Sequence, residues 1–464
     1  MTAASRPRGT AAFDRTLPPP VGAPPVLTLP SALDRTLENG LRVILVERHA
    51  LPLVSLQLTF PGGGWAHPPE HAGLAALTAD MVDEGTPTRS ALDISDALDL
   101  LGASFGTTAG YDASTLRLSV LRPRLEAAME LLADMVRSPV VPEQDLDRVR
   151  RQRLGRILQR ATQPAALADD AFVRAVYGSR HPYGTPLLGR EPTLKALDRD
   201  RVVAFHGDRY VPEGATLVVV GDVTRADLDT LLEVSFGSWS GSPAAEAGAA
   251  DVATAAPRVV VAHRPGSAQS EIRIGRAALA RSTPDYFAAQ VANTILGGSF
   301  TSRLNSNLRE EKGYTYGAGS YFSMRKRPGP FEASTAVATD VTAEAVGEML
   351  REMRVLGDER VPDPELDRAR QYLARRLPQH FESIDDVVSR LAGLALHGMS
   401  LDFYDDYVDR VLAVEADDVA RVARQEMDPQ QMVVVVVGDR AAVEGPLDSL
   451  GLGPLEILTS GDER

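Results

Sequence analysis

Two histidines and a glutamate near residue 70 have the types and spacing needed for zinc-dependent hydrolysis. His67, Glu70 and His71 read H-x-x-E-H, so two imidazoles could bind zinc while a carboxylate acts as general base. That chemistry needs both histidines on one face of a continuous helix. The two prolines between them lack an amide hydrogen and fit only a first helical turn, so His67 is expected at or before the helix start. We interpret the string as a loop, although Asp147 lies at a suitable sequence distance from His71 to complete a metal site.

The segment that follows is predicted to form an amphipathic helix. Residues 73–86 read GLAALTADMVDEGT, and the apolar residues Leu74, Leu77, Met81 and Val82 recur at helical spacing. Gly85 is typical of a helix end. One face of this helix is therefore expected to pack inward.

This segment, followed by PTRS, resembles the active-site helix of the insulinase and pitrilysin family of zinc peptidases, whose motif is the inverted H-x-x-E-H. The resemblance places the two histidine positions at Ala76 and Asp80, the general-base position at Ala79 and a distal glutamate ligand at Arg156. An open catalytic zinc site needs about three imidazole or carboxylate ligands. These four residues cannot supply them, so the resemblance implies a family member without its own zinc centre.

A second group of candidate residues lies in LGGSFTSRLNSNLREEKGYTYG, residues 296–317. Arg309 and Tyr316 are seven residues apart, one at the end of a predicted helix and one in the strand that follows. Taken alone, they are typical of a surface ion-pair residue and a strand aromatic. Gly297 and Gly298 would permit a tight or closely approaching backbone after a helix.

The resemblance gives these residues a second interpretation. In insulinase-type peptidases an arginine and a tyrosine at this spacing bind the substrate main chain and stabilise charge on the scissile carbonyl oxygen, for which guanidinium and phenol groups are suited. It implies that Arg309 and Tyr316 are catalytic residues that also bind substrate, together with Gly297 and Gly298.

Composition restricts the partners. A net charge of −14, from 49 basic and 63 acidic residues, argues against nucleic acid or an anionic membrane as partner. With no cysteine, the chain has no disulfide, thiol nucleophile or thiolate metal site. No apolar run reaches the roughly 18 residues of a membrane span, and no secretory signal is recognisable. We expect a cytoplasmic protein, with a periplasmic or secreted location left open.

The chain also repeats itself. VPEQDLDR at 141–148 is echoed by VPDPELDR at 361–368, an offset of 220, and VVVGD at 218–222 returns at 435–439, an offset of 217. Two echoes at nearly one offset predict an internal duplication. The arginine-rich helix 143–160 within the first copy is predicted to present a solvated or subunit-contact face.

These observations predict an α+β fold of two homologous sandwich domains, each a mainly antiparallel sheet with helices packed on one side. At 464 residues, two domains are also the expectation from length. The predicted boundaries are a disordered, Pro- and Ala-rich leader at 1–33, a first domain without zinc ligands at 34–236, a linker at 237–257, a second domain carrying the Arg/Tyr pair at 258–455, and a tail at 456–464.

The resemblance covers residues 34–455 and implies the non-zinc subunit of a heteromeric zinc metalloendopeptidase, as in mitochondrial processing peptidase and bacterial two-subunit relatives. The chain would be inactive alone and bind no cofactor, while a homologous zinc-bearing partner would supply the metal. A peptide substrate would lie as an added strand on a sheet edge, with 103–109 as the candidate. Two alternatives remain open, a structural core-type subunit without catalytic contribution and a self-sufficient zinc peptidase using His67, Glu70 and His71.

Overall fold

The computed structural model describes residue 22 and residues 31–245 and 255–458. These contain two six-stranded sheets, one from each half of the chain. The first sheet has the order β1-β2-β6-β3-β5-β4, with strands β1 Leu33–Thr36, β2 Arg42–Glu47, β3 Leu53–Pro61, β4 Ser104–Ala109, β5 Ala113–Leu121 and β6 Thr216–Gly221. The second has the order β12-β7-β11-β8-β10-β9, with strands β7 Arg258–His263, β8 Gln269–Ala277, β9 Ala318–Phe322, β10 Pro330–Ala338, β11 Val433–Gly438 and β12 Leu455–Leu458.

The two sheets repeat one topology, which confirms the predicted duplication of the fold. In both, a strand from the C-terminal part of the unit pairs parallel to the first long strand, as in β2–β6 and β7–β11, while the hairpin strands pair antiparallel. The outermost strand differs, because β1 is antiparallel to β2 whereas β12 is parallel to β7. The fold is therefore α+β with two mixed sheets.

Both halves contribute helices that pack on the sheets. The first half contains α1 Leu74–Asp80, α2 Ala91–Leu101, α3 Leu125–Arg137, α4 Glu143–Thr162, α5 Pro164–Tyr177, α6 Glu191–Ala196, α7 Arg199–Arg209 and α8 Arg225–Phe236. The second contains α9 Tyr286–Asn293, α10 Thr342–Asp358, α11 Asp363–Arg376, α12 Ile384–Leu396, α13 Tyr407–Leu412, α14 Ala416–Glu426 and α15 Arg440–Asp448, with π-helical turns at Thr294–Gly298 and Asn305–Glu311. Within the described ranges no helix is long and apolar enough to cross a bilayer.

The first helix is shorter than the sequence predicts. Regular helix ends at Asp80, and residues 81–84 continue as turns in which Met81 N donates to Thr78 O and Glu84 N donates to Met81 O. Bonds between residues three apart tighten the last turn of a helix and satisfy its carbonyls. The apolar side chains of Met81 and Val82 still reach the core.

One helix of each half packs on the sheet of the other half. Helix α5 covers β8 and β11, where Phe172 contacts the apolar face that includes Val433 and Val435. Helix α12 covers β3 and β6, and its Val388 and Leu391 join the cluster that contains Val218. Each sheet thus has its own helices on one face, as predicted, and a helix of the opposite half on the other. This explains why β6 and β11 are buried along their whole length and carry runs of valine rather than alternating apolar and polar residues.

The expected boundaries fall partly outside the described residues. Most of the leader at 1–33 and residues 246–254 of the linker are not described, and residues 237–245 and 255–257 contain neither helix nor strand. Strand β12 begins at Leu455, so the second sheet extends to Leu458, three residues into the segment predicted as tail.

Candidate functional site

The structure brings Arg309 and Tyr316 to one open depression of about 400 Å³ in the second half. Its wall is formed by Glu271, Arg273, Phe300, Asn305, Arg309, Tyr316, Gly317, Ala318, Gly319, Ser334, Thr335 and Ala336. Tyr316 is 95% exposed, and the Arg309 side chain is 35% exposed. Both polar groups are therefore accessible to a ligand from solvent.

The backbone that carries the two residues is held by hydrogen bonds. Arg309 lies in the π-helical turn Asn305–Glu311, and Tyr316 lies just before β9. The Thr315 hydroxyl contacts both the amide and the carbonyl of Gly317, and the Thr335 hydroxyl of β10 donates to the Gly317 carbonyl at 3.0 Å. The backbone on either side of Tyr316 is thus anchored to the sheet although its ring is exposed.

Gly297 and Gly298, predicted to bind substrate, do not line this depression. Gly297 is buried against β9, where an added Cβ would lie 2.4 Å from the amide nitrogen of Ser320. At Gly298 a Cβ would lie 2.7 Å from the side-chain nitrogen of Asn293. The geometry gives both glycines a packing role, since Gly297 lets the helix end lie directly on the strand and Gly298 leaves room for the side chain of Asn293.

A largely buried arginine in the wall of the depression joins the two halves. The guanidinium of Arg273 on β8 donates from Nε to Asp169 of α5 at 2.8 Å and from Nη1 to Glu271 at 3.1 Å. Its Nε also lies 3.4 Å from Glu332 of β10, whose side chain is 7% exposed. Burial raises the pKa of Glu332 to about 7, although the Tyr321 hydroxyl and Arg273 oppose the shift.

The raised pKa predicts a pH-dependent stability. Between about pH 4.5 and 7, folded Glu332 retains a proton that the unfolded chain has released, so its contribution to stability decreases as pH rises through this window. In the wild-type chain we expect the free energy of unfolding to decrease by roughly 1 to 3 kcal/mol as pH rises across this window, and Glu332→Gln should abolish that decrease. Urea denaturation at the two ends of the window measures the difference. Glu344→Gln, at an exposed position on α10, is the control, and equal pH profiles for wild type and Glu332→Gln would contradict the prediction.

The positions that the resemblance assigns to zinc ligands hold alanines and an ion pair. Ala76 and Ala79 are buried on α1, and Asp80 accepts a hydrogen bond of 2.5 Å from Nη1 of Arg153 on α4. The Arg153 side chain is only 5% exposed, so a fixed cation occupies the neighbourhood of the single remaining carboxylate. Arg156, one turn further along α4, is exposed and lines a neighbouring depression of about 570 Å³.

This donor set does not fit a metal. A guanidinium on the carboxylate would repel a cation, and two alanines offer no ligand atoms. In the parts of the chain that the structure describes, no three histidine, cysteine, aspartate or glutamate side chains lie close enough together to hold an ion. Arg153, which the sequence assigned to a solvated or contact face, is instead buried.

The H-x-x-E-H string is a loop with a short 3-10 turn at Pro69–His71, as its prolines predict. His67 precedes the turn in extended conformation and is buried, with its ring 6.0 Å from that of Phe205. Burial lowers the pKa of His67 to about 4. The Nε2 atom of His71 hydrogen-bonds the guanidinium of Arg201. The two imidazoles are therefore not presented from one helical face.

These geometries predict that the chain by itself does not retain zinc. After incubation with zinc and dialysis, mass spectrometry of the metal content should find no stoichiometric zinc, and His71→Ala should not change the result. Stoichiometric zinc that His71→Ala abolishes would instead identify the loop histidines as ligands.

The duplicated α+β fold, with α1 at the position that the resemblance gives to an active-site helix, defines a peptidase-like protein. Residues 42–190 match the family model for insulinase, peptidase family M16, and residues 196–373 match the model for the peptidase M16 inactive domain. The chain belongs to the M16, or insulinase, family of peptidases.

Similar proteins include a zinc protease of Streptomyces coelicolor, 28% identical over 415 residues that cover 86% of this chain and 88% of the relative. The zinc protease YmxG of Bacillus subtilis is 24% identical over 396 residues, or 84% and 94% of the two chains. A solved peptidase M16 inactive domain from Pseudomonas fluorescens superposes with a TM-score of 0.82 at 25% identity, covering 88% of this chain and 98% of that chain. A Helicobacter pylori protease shares the fold, with a TM-score of 0.83 at 20% identity over 89% and 100%.

Proposed function

We propose that this chain is the non-zinc, substrate-binding subunit of a heteromeric M16 metalloendopeptidase, and that Arg309 and Tyr316 complete the active site of a zinc-bearing partner. The observation that supports this most is an asymmetry between two sites. The arginine and tyrosine are exposed together on one depression, whereas an internal Asp80–Arg153 ion pair takes the place of metal ligands.

The two side chains are suited to one electrostatic task. An arginine guanidinium donates several N–H groups in a fixed plane, and the phenol adds an O–H donor. Aimed at the carbonyl oxygen of a scissile peptide, these donors would stabilise the negative charge that develops there during attack. The partner would supply the metal, the attacking water and the general base.

The substrate would extend along a sheet edge. Strand β4, Ser104–Ala109, is the outer strand of the first sheet and pairs with β5 on one side only, as far as the described residues go. Its free backbone amides and carbonyls could hold a peptide as an added strand, a mode that depends little on side chains. This agrees with the segment 103–109 proposed from the sequence.

The relatives named as zinc proteases favour a second candidate, a peptidase with its own metal. In this chain the available donors at the motif spacing would be His67, Glu70 and His71. The buried ring of His67 and the Arg201 contact of His71 disfavour it, and the zinc measurement described above separates the two candidates.

The test is reconstitution. Hydrolysis of an unstructured peptide should be measured with this chain alone, with a homologous chain that carries an intact H-x-x-E-H helix alone, and with the two mixed at equal concentration. We expect this chain alone to be inactive and the mixture to exceed the sum of its parts by at least about tenfold, as expected when positioned catalytic groups are completed. Each zinc-bearing homologue encoded beside this chain should be tested in this way. If no mixture hydrolyses the peptide faster than the zinc-bearing chain alone, this chain makes no catalytic contribution.

A further inference from the structure

A large aromatic side chain lies exposed beside Arg309. Phe300 is 67% exposed, and the central carbon of the Arg309 guanidinium lies 4.5 Å from the centroid of its ring. A cation over the face of a phenyl ring is attracted by the ring's electron distribution. Because most of the Phe300 side chain is exposed, burial in the core does not account for a phenylalanine at this position, and its contact with Arg309 points to another role.

The ion pair that Arg309 makes with Glu310 does not hold its guanidinium in one direction. Glu310 lies 3.6 Å from the Arg309 Nε, but its side chain is 64% exposed. Solvent-exposed ion pairs of this kind contribute little because water competes and both side chains lose rotational freedom. The flat ring of Phe300 is therefore the contact that restricts the plane of the guanidinium.

One buried amide ties the backbone next to Phe300 to the turn that carries the arginine. The Asn305 side chain donates from Nδ2 to the carbonyl of Ser299, next to Phe300, at 3.3 Å, and its Oδ1 accepts from the amide of Ala318 at 3.0 Å. Asn305 begins the π-helical segment Asn305–Glu311, which also contains Arg309. The loop of Phe300, the turn of Arg309 and the strand after Tyr316 are thus joined at a single side chain.

We propose that Phe300 is a positioning residue, which orients the Arg309 guanidinium towards the scissile carbonyl oxygen. The inference rests on the proposed function of Arg309. Phe300 touches no reacting atom in this scheme. It raises the fraction of time that the guanidinium spends in the productive orientation, so its loss affects the transition state more than the bound substrate.

The activity test uses the reconstituted complex with the zinc-bearing homologue. Phe300→Leu keeps apolar volume but removes the ring, and we expect kcat to decrease about three- to tenfold while KM stays within about twofold. Phe300→Trp, which keeps an aromatic face, should retain wild-type kcat. Tyr372→Leu is the matched control, because Tyr372 is an exposed aromatic beneath Arg376 on α11, outside the depression.

A double variant separates this role from general packing. If Phe300 acts through Arg309, adding Phe300→Leu to Arg309→Ala should cause no further loss. Full additivity, or a wild-type kcat in Phe300→Leu while Arg309→Ala is impaired, overturns the positioning role and leaves the proposed function intact. Wild-type activity in Arg309→Ala overturns the proposed function itself.

A measurement on the chain alone makes the test independent of any partner. Protons of the Arg309 side chain lie over the ring face and should show upfield NMR shifts that Phe300→Leu removes and Phe300→Trp retains. The Arg376 signals should respond only to Tyr372→Leu. Unshifted Arg309 signals in the wild-type chain would show that the stacking does not persist in solution and would overturn the inference.

Discussion

Replacing Arg309 by alanine is expected to lower kcat of the reconstituted complex about 10²- to 10³-fold, the loss typical of removing one donor to a developing oxyanion. The physical reason is that this guanidinium would be preorganised beside Phe300 and would cost little to align during reaction. Steady-state hydrolysis of one peptide at saturating and subsaturating concentrations separates kcat from KM. Tyr316→Phe, which removes only the hydroxyl, should cost about tenfold, because a single neutral hydrogen bond is weaker than one from a charged donor.

The matched control for this prediction is Arg360→Ala. Arg360 is a 65% exposed arginine with two acidic neighbours outside the depression, so its removal changes net charge equally without touching the site. Equal activity of Arg309→Ala, Tyr316→Phe and wild type would reduce the pair to ordinary surface residues and favour the structural-subunit alternative.

The second large effect concerns stability. Asp80→Ala is expected to lower the free energy of unfolding by about 3 to 5 kcal/mol, because it leaves the buried guanidinium of Arg153 without its counter-charge. The Nε of Arg153 already has no hydrogen-bond partner in the described parts of the chain, which leaves little to compensate. Urea denaturation of the chain alone measures the change.

Replacing the other partner of the ion pair should lower the free energy of unfolding by less. Arg153→Met fills similar volume with apolar atoms, and the remaining Asp80 is 28% exposed, so water can solvate its carboxylate. The double variant Asp80→Ala/Arg153→Met is expected to lie close to wild type, as found when a buried ion pair is replaced by apolar groups. If Asp80→Ala unfolds at the wild-type urea concentration, the ion pair with Arg153 does not stabilise the folded chain.

Several features of the site were predictable from the sequence. The prolines in the H-x-x-E-H string lack amide hydrogens, which is a local property, and the structure confirms a loop there. The alanines at 76 and 79 exclude ligand atoms whatever the fold. The spacing of Arg309 and Tyr316, one turn of helix and a tight turn before a strand, brings both to one depression.

Other features depended on contacts between distant residues. The sequence could not distinguish Arg153 from its neighbours in an arginine-rich helix, because only the approach of α1 decides which one is buried. The sequence also could not indicate that Phe300 would lie against Arg309, since a phenylalanine is ordinarily expected to be buried in the core. Gly297, which with Gly298 was predicted to contact substrate, lies directly against β9, a close approach that is not visible from spacing.

The sequence by itself determined the family, through the resemblance of one helical segment and its flanks, and the duplicated α+β architecture, through two echoes at nearly one offset, because both follow from the identity and order of residues. Only the tertiary structure decided that α5 and α12 each pack on the sheet of the opposite half, and that a buried arginine pairs with Asp80. The physical reason is that an amphipathic helix specifies an apolar face but not its partner, and a charged side chain specifies a need for compensation but not its source.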